Sequence, residues 1–303
     1  MTREFPMGRL EDPRVVDEFC SQARRPVFGV SAAPLQDSGK GKVALLYQAV
    51  EQAMGSYPVR LQTVGDCVSQ AFAGAVDVLA SVERVIKGER EVVTHATASE
   101  AIYGLARVEV GGRRLGRSDG AYGGWGERAV QQYGTLLRQK YGRYDLTKYS
   151  GRKARDWGYK GLPDSLEPTA REHLVRETSL VLSYEEARDA IANGYPVVVC
   201  SNQGFTRSRD RDGFARPSGS WPHAMLFCGM DDAHRRPGLL CVNSWGPHWI
   251  RGPKRHSQPN GSFWVEADVA NRMLRQRDSY SISDFNGYPD RNATVDFMDL
   301  NVF

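Results

Sequence analysis

Three residues far apart in the chain carry side chains that could act together as a nucleophilic site. They are Cys67 in VGDCVSQAF (64–72), His223 in HAMLFCGM (223–230) and Asn243 in VNSWGPHW (242–249). A thiol becomes a nucleophile when it is ionised and an imidazole close by can take and return its proton. A carboxamide oxygen can accept the imidazole's other N–H and hold the ring in one orientation. Of the six histidines, His223 alone opens a strongly apolar run, so a strand carrying it would present the ring at its end. Trp245 is placed to cover the bond between ring and amide from water. The competing reading of Cys67 is a small apolar core residue, the usual fate of a free cysteine.

The elements that must position these residues are legible from periodicity. From Cys67, the apolar and small residues Val68, Ala71, Phe72, Ala75, Val76 and Leu79 follow the i, i+3, i+4 spacing of a helix with a buried face. Asp66 is a suitable N-cap, which puts Cys67 in the first turn, where unpaired N–H groups and the helix dipole favour thiolate. The charge of Asp66 opposes that effect. Further helices are expected over 13–23, 42–54, 97–107 and 124–140, and after Ser183, which forms a capping box with Glu186 and is followed by an Asn193–Gly194 stop. Residues 29–42 read as loop, and 141–178 as mostly loop with a short helix. Strands are expected over 195–200, 223–230, 238–245 and 262–267. Helices therefore dominate the first half and strands the second. This predicts an α+β arrangement of two lobes, with a cleft that sets Cys67 against the strand edges.

Length and composition bound the alternatives. A chain of 303 residues with 41% hydrophobic and 25% charged residues can build one large domain or two small ones. The net charge of +4 comes from arginines scattered through loops such as RSRDRDGFAR (207–216) and RGPKRH (251–256), where they read as solvated faces. They make no continuous basic stripe, so nucleic acid is not the expected partner. The N-terminus lacks the apolar core of a secretory signal, and no apolar run approaches a membrane span, so a soluble cytoplasmic protein is expected. Five cysteines at irregular spacing predict free thiols, with Cys200, Cys228 and Cys241 packed in strands and Cys20 in a helix. The other histidines, His95, His173, His234, His248 and His256, lack ligand spacing, so neither a metal nor an organic cofactor is expected.

The strings around Cys67, His223 and Asn243, together with DGAYGGWGERAVQQYG (119–134), GSFWV (261–265) and YSISDFNGYP (280–289), resemble the successive motifs of the papain-like cysteine peptidases. The similarity is to the bacterial and viral branch that lacks the disulfide-forming cysteine just before the nucleophile. It spans roughly 57–290, leaving 1–56 as an N-terminal extension and 291–303 as a C-terminal tail. The resemblance implies a two-lobed fold, with a helical left lobe, an antiparallel sheet or barrel as the right lobe, and the site in the cleft. It implies Cys67 as nucleophile, His223 as base and then acid, and Asn243 as orienter of the ring. An imidazolium at His223 would keep Cys67 ionised near neutral pH. The oxyanion would be held by the Cys67 N–H and a glutamine, for which Gln62 stands five residues before Cys67 where the family has six. Gly123 and Gly124 would form the turn that pairs with substrate backbone, and Trp221 and Trp245 would line the cleft. The implied partner is a peptide or protein substrate. The rival expectation is a papain-like scaffold with little or no catalysis, a component of a phage particle or other large assembly that docks through the extension and the tail.

Overall fold

The computed structural model describes residues 5–23, 26–86 and 95–294, so the C-terminal tail beyond 294 lies outside it. The chain opens with α1 (Pro13–Gln22), capped by the Asp12 carboxylate on the Arg14 N–H, and a single turn α2 (Phe28–Ser31). A short strand β1 (Val43–Leu45) runs into α3 (Leu46–Met54). The long helix α4 (Cys67–Val85) follows, then α5 (Ser99–Gly104) and α6 (Gly123–Arg128), each continuing as a wider π-helical stretch, over Leu105–Val110 and Ala129–Tyr133. A small hairpin, β2 (Lys140–Tyr141) and β3 (Tyr144–Asp145), leads to α7 (Gly151–Lys160), the turn α8 (Glu167–Ala170) and β4 (Glu177–Leu180). The last part of the chain carries α9 (Tyr184–Ala192), β5 (Val197–Arg209), β6 (Ala215–Asp231), β7 (Gly238–Val242), β8 (Ser262–Glu266), α10 (Ala267–Leu274) and β9 (Tyr280–Ser283).

Seven strands form one antiparallel sheet in the order β4-β9-β5-β6-β7-β8, with β1 added to β6. The sheet is open, not a closed barrel. β6 is its spine: β5 pairs along its first part, and β1 takes over that edge at Gly229–Asp231. α4 lies across β5 and β6 and is covered on its other sides by α3, α5 and α6, so it is buried almost all round. The site lies where the N-terminus of this helix meets β6.

Several boundaries differ from those expected. The stretch 42–54 begins as a strand, because Val43, Ala44 and Leu45 form a short apolar run that suits either element and the free edge of β6 captures it. The helix expected over 124–140 stops at Tyr133, since Gly134 takes φ +80°. The strands expected at 195–200 and 223–230 are the inner ends of a long hairpin whose polar outer arms carry no strand signal. Ser183 caps α9 as expected, accepting from the Glu186 N–H at 3.1 Å, but the Glu186 carboxylate reaches Leu182 N at 2.7 Å instead of Ser183. The basic link after Trp249 is tied to the sheet through Asp231, which accepts from Arg255 and from His256 Nε2 at 2.9 Å. All five cysteines are free, with Cys200, Cys228 and Cys241 buried. Among the described residues, no helix is long and apolar enough to cross a membrane, and no cluster of His, Cys, Asp and Glu could hold a metal ion.

Removing the α9 cap tests the helix assignment. Ser183→Ala is expected to lower unfolding free energy by about 1 kcal/mol, read as a shifted urea midpoint at unchanged slope.

Candidate active site

The approach to α4 is fixed by strand-like pairing of residues 60–62 with 244–246. Gln62 N donates to Ser244 O at 2.8 Å and Gly246 N to Arg60 O at 2.9 Å. Arg60 is anchored in turn on Asp77, inside α4. A tight turn, Asp66 N to Val64 O at 2.9 Å, then delivers Cys67 as the first helical residue. Asp66 occupies the N-cap position, but its carboxylate does not cap the helix. It is buried and accepts from the Gln70 amide at 2.9 Å, and burial raises its acid to about 7.

His223 sits on β6, fully buried, with Nε2 2.8 Å from Asn243 Oδ1. That oxygen also accepts the Ser244 backbone N–H at 2.7 Å, which fixes the amide orientation and makes Nε2 the protonated ring nitrogen. The indole of Trp245 lies 4.5 Å from the imidazole, ring centroid to centroid, and covers this bond. His223 Nδ1 is left as the basic nitrogen, with no hydrogen-bond partner among the described residues. The Cys67 thiol is faced by backbone N–H groups of Ala224, Gly8 and Val68.

Both reactive groups are held neutral. Burial pushes the Cys67 thiol up to about 12, only partly offset by those N–H groups, and Asp66 adds to the rise. Burial pushes the His223 imidazole down to about 4 against the raising effect of Asn243. Burial thus works against the ionised pair expected from the sequence.

The chain's own N-terminus contributes to that burial. Residues 5–10 cross the site as an extended strap. Leu10 N donates to Ala121 O at 2.9 Å, Ala121 N to Gly8 O at 2.8 Å, and Arg9 N to Pro222 O at 3.2 Å. Phe5 stacks on Trp245 with centroids 4.9 Å apart and planes 9° from parallel. The Pro6 carbonyl accepts from the Gln62 amide and from the Trp245 indole N–H, both at 3.1 Å. Gln62 is steered there by Ser244, whose hydroxyl donates to its Oε1, so the loop that is one residue short still presents the amide to the cleft. Gly8 lies so close to Gly65 that a Cβ at either position would overlap the other strand's backbone.

The remaining expected residues fall elsewhere. Gly123 and Gly124 are buried in the first turn of α6: a Cβ at Gly123 would overlap Asp278, and one at Gly124 would press on Val15 and the Tyr280 hydroxyl. The backbone edge that pairs across the cleft is Ala121, two residues earlier, so the glycines shape the packing under that edge and do not themselves bond the strap. Trp221 stands behind Trp245 at 4.8 Å and against Trp249 at 5.8 Å, in an aromatic cluster that backs the site. Ser244 and Ala121 lay inside motifs read from the sequence, yet their roles depend on partners distant in the chain.

No protein-family model matches the sequence, and no curated protein matches it. Solved structures do. Xylellain, a cysteine protease from Xylella fastidiosa, superposes with a TM-score of 0.54 at 18% identity over 93% of this chain and 92% of its own. Procathepsin L 3 from the larval midgut of Tenebrio molitor gives 0.51 at 12% identity over 80% of this chain and 69% of that one. The chain has a papain-like fold. Within that papain-like frame the Cys67 end of α4 and the His223 strand meet at the cleft that the strap crosses.

Two outcomes follow for this site. Gly8→Ala is expected to lift the strap and raise the rate of Cys67 alkylation by iodoacetamide at pH 7 about tenfold, equivalent to about 1.4 kcal/mol of strap binding lost; peptide mass mapping locates the adduct. Asp66, with its acid raised in the folded chain, binds a proton that the unfolded chain releases near pH 4, so its contribution falls as pH rises from about 4 to about 7. Asp66→Asn should therefore gain in Tm over the parent across that window by several degrees, with little advantage below it.

Proposed function

We propose that the protein is a papain-like cysteine peptidase that carries its own cleft blocker. The single observation that supports this most strongly is the strap itself: a peptide backbone lies across Cys67 with one carbonyl on the Gln62 amide, the position a substrate carbonyl would need. Once the strap leaves, water returns, the thiol and imidazole shift back toward their ordinary values, and His223 Nδ1 can take the Cys67 proton. The thiolate then attacks the peptide carbonyl carbon. Charge developing on its oxygen is met by the Gln62 amide and the Cys67 N–H, contacts of the kind worth about 3–4 kcal/mol of barrier each. His223 passes its proton to the departing amine nitrogen as the C–N bond breaks, leaving a thioester on Cys67. Water adds to the thioester with His223 as base, releasing the acid and restoring the thiol. Asn243 keeps Nε2–H occupied throughout, so that Nδ1 stays the nitrogen that trades protons.

The docking rival used the N-terminal extension and the C-terminal tail, of which residues beyond 294 lie outside the described residues. Residues 5–22 instead fold back onto the chain's own cleft and helices, and β1 joins the sheet, so the described part of the extension is used internally.

The test is cleavage of a denatured protein mixture by the full chain and its variants. Phe5→Ala removes an aromatic pair worth about 0.5–1.5 kcal/mol and is expected to raise the cleavage rate roughly two- to tenfold. Cys67→Ser should abolish cleavage in either background. Asn243→Ala should lower kcat with little change in KM, because it acts through the ring. No cleavage by the strap-weakened chain, with Cys67 fully alkylatable, contradicts the proposal.

A further inference from the structure

We infer that the buried carboxylate of Asp278, together with Asn202, forms a side-chain pocket of the cleft that selects arginine in a bound peptide; as a statement about substrate, this rests on the peptidase reading above. The observation is the seating of Arg9. Its backbone is gripped on both sides of the cleft, by Pro222 on one wall and through its neighbours by Ala121 on the other. Its side chain is wholly buried, with Nε 3.5 Å from Asp278 Oδ2 and Nη1 3.0 Å from Asn202 Oδ1. Nη1 also reaches Glu11 at 3.3 Å, but Glu11 belongs to the strap segment and leaves with it.

The pocket is built by the rest of the chain. Gly123 N donates to Asp278 Oδ2 at 3.3 Å, the Tyr280 hydroxyl to Oδ1 at 3.4 Å, and Gln276 Oε1 accepts from Asn202 N at 2.7 Å. Gly123 is required here because any side chain would occupy the carboxylate's place. A carboxylate taken out of water is unfavourable without a cation, and a guanidinium is equally so without an anion, so the two charges offset each other here, with Nη1 hydrogen-bonded and Nε and Nη2 left without a hydrogen bond among the described residues. Burial raises the Asp278 acid to about 6 even with Arg9 beside it. An acidic side chain would meet like charge, and an apolar one would leave the Asp278 carboxylate without a cation and Asn202 Oδ1 without the Nη1 donor. Arginine is favoured over lysine because its planar guanidinium sets Nη1 on Asn202 Oδ1 while Nε faces the Asp278 carboxylate at ion-pair distance, two places that one ammonium point charge does not span.

The test uses the full chain carrying Gly8→Ala and the peptide FPMGRL, with readout as protection of Cys67 from iodoacetamide. The arginine peptide is expected to protect at about tenfold lower concentration than the same peptide with citrulline, which keeps shape and removes charge. Asp278→Asn should remove the difference. Asn202→Ala, at a half-buried site, should reduce it and serves where Asp278→Asn fails to fold. Equal protection by arginine and citrulline, or none by the arginine peptide, overturns the pocket. In a peptide mixture, arginine should be enriched at one fixed position within about three residues of the cut bond. Cleavage without that enrichment defeats the pocket and leaves the peptidase standing. Arginine-dependent protection with no cleavage of any peptide does the reverse.

Discussion

The whole site depends on one contact, the N-terminus of α4 set against β6. It places the Cys67 thiol at the backbone N–H of Ala224, the residue after His223. β6 can hold this position because it is paired on both edges, by β5 and β1 on one side and β7 on the other. The β7 pairing in turn sets Asn243, just beyond the strand end, at His223 Nε2. A slip of β6 by one residue would turn His223 to the opposite face of the sheet and dismantle the arrangement.

The same cleft explains why the resting chemistry is neutral. A thiol pushed up and an imidazole pushed down have one cause, burial, to which the strap and Trp245 both contribute. The strap fills the site with an extended backbone whose Pro6 carbonyl meets the Gln62 amide, an aromatic side chain stacked on Trp245 and a guanidinium beside Asp278. Its two-sided backbone bonding shows which edges do the gripping, Ala121 and Pro222, and thus how little of the grip depends on side chains.

What could be read from the sequence was local or carried by short motifs. The buried face of α4, the Ser183 cap and the pairing of His223 with Asn243 rest on spacing over a few residues or on distinctive strings. The strap does not, since PMGRL has no periodicity and its partners Gly65, Ala121 and Pro222 are brought together only by the folded chain. Val43–Leu45 was ambiguous for a physical reason: three apolar residues fit a helix start or an edge strand equally, and the free edge of β6 decides. Gly123 and Gly124 were legible as a turn but not as the support beneath Ala121. Asp278 is one acid in the polar string RQRDSYSIS, and only burial distinguishes it.

The central claim is a Cys67 nucleophile served by His223 in a cleft that its own strap closes. It is tested most directly by intact mass measurement after treatment with a peptidyl vinyl sulfone, which adds covalently to an activated thiolate. The account predicts a single adduct, located on Cys67, formed faster in Gly8→Ala than in the parent and lost in His223→Ala. Adduct formation that is indifferent to His223, or that falls on Cys20 while an exposed Cys67 stays unmodified, would contradict it.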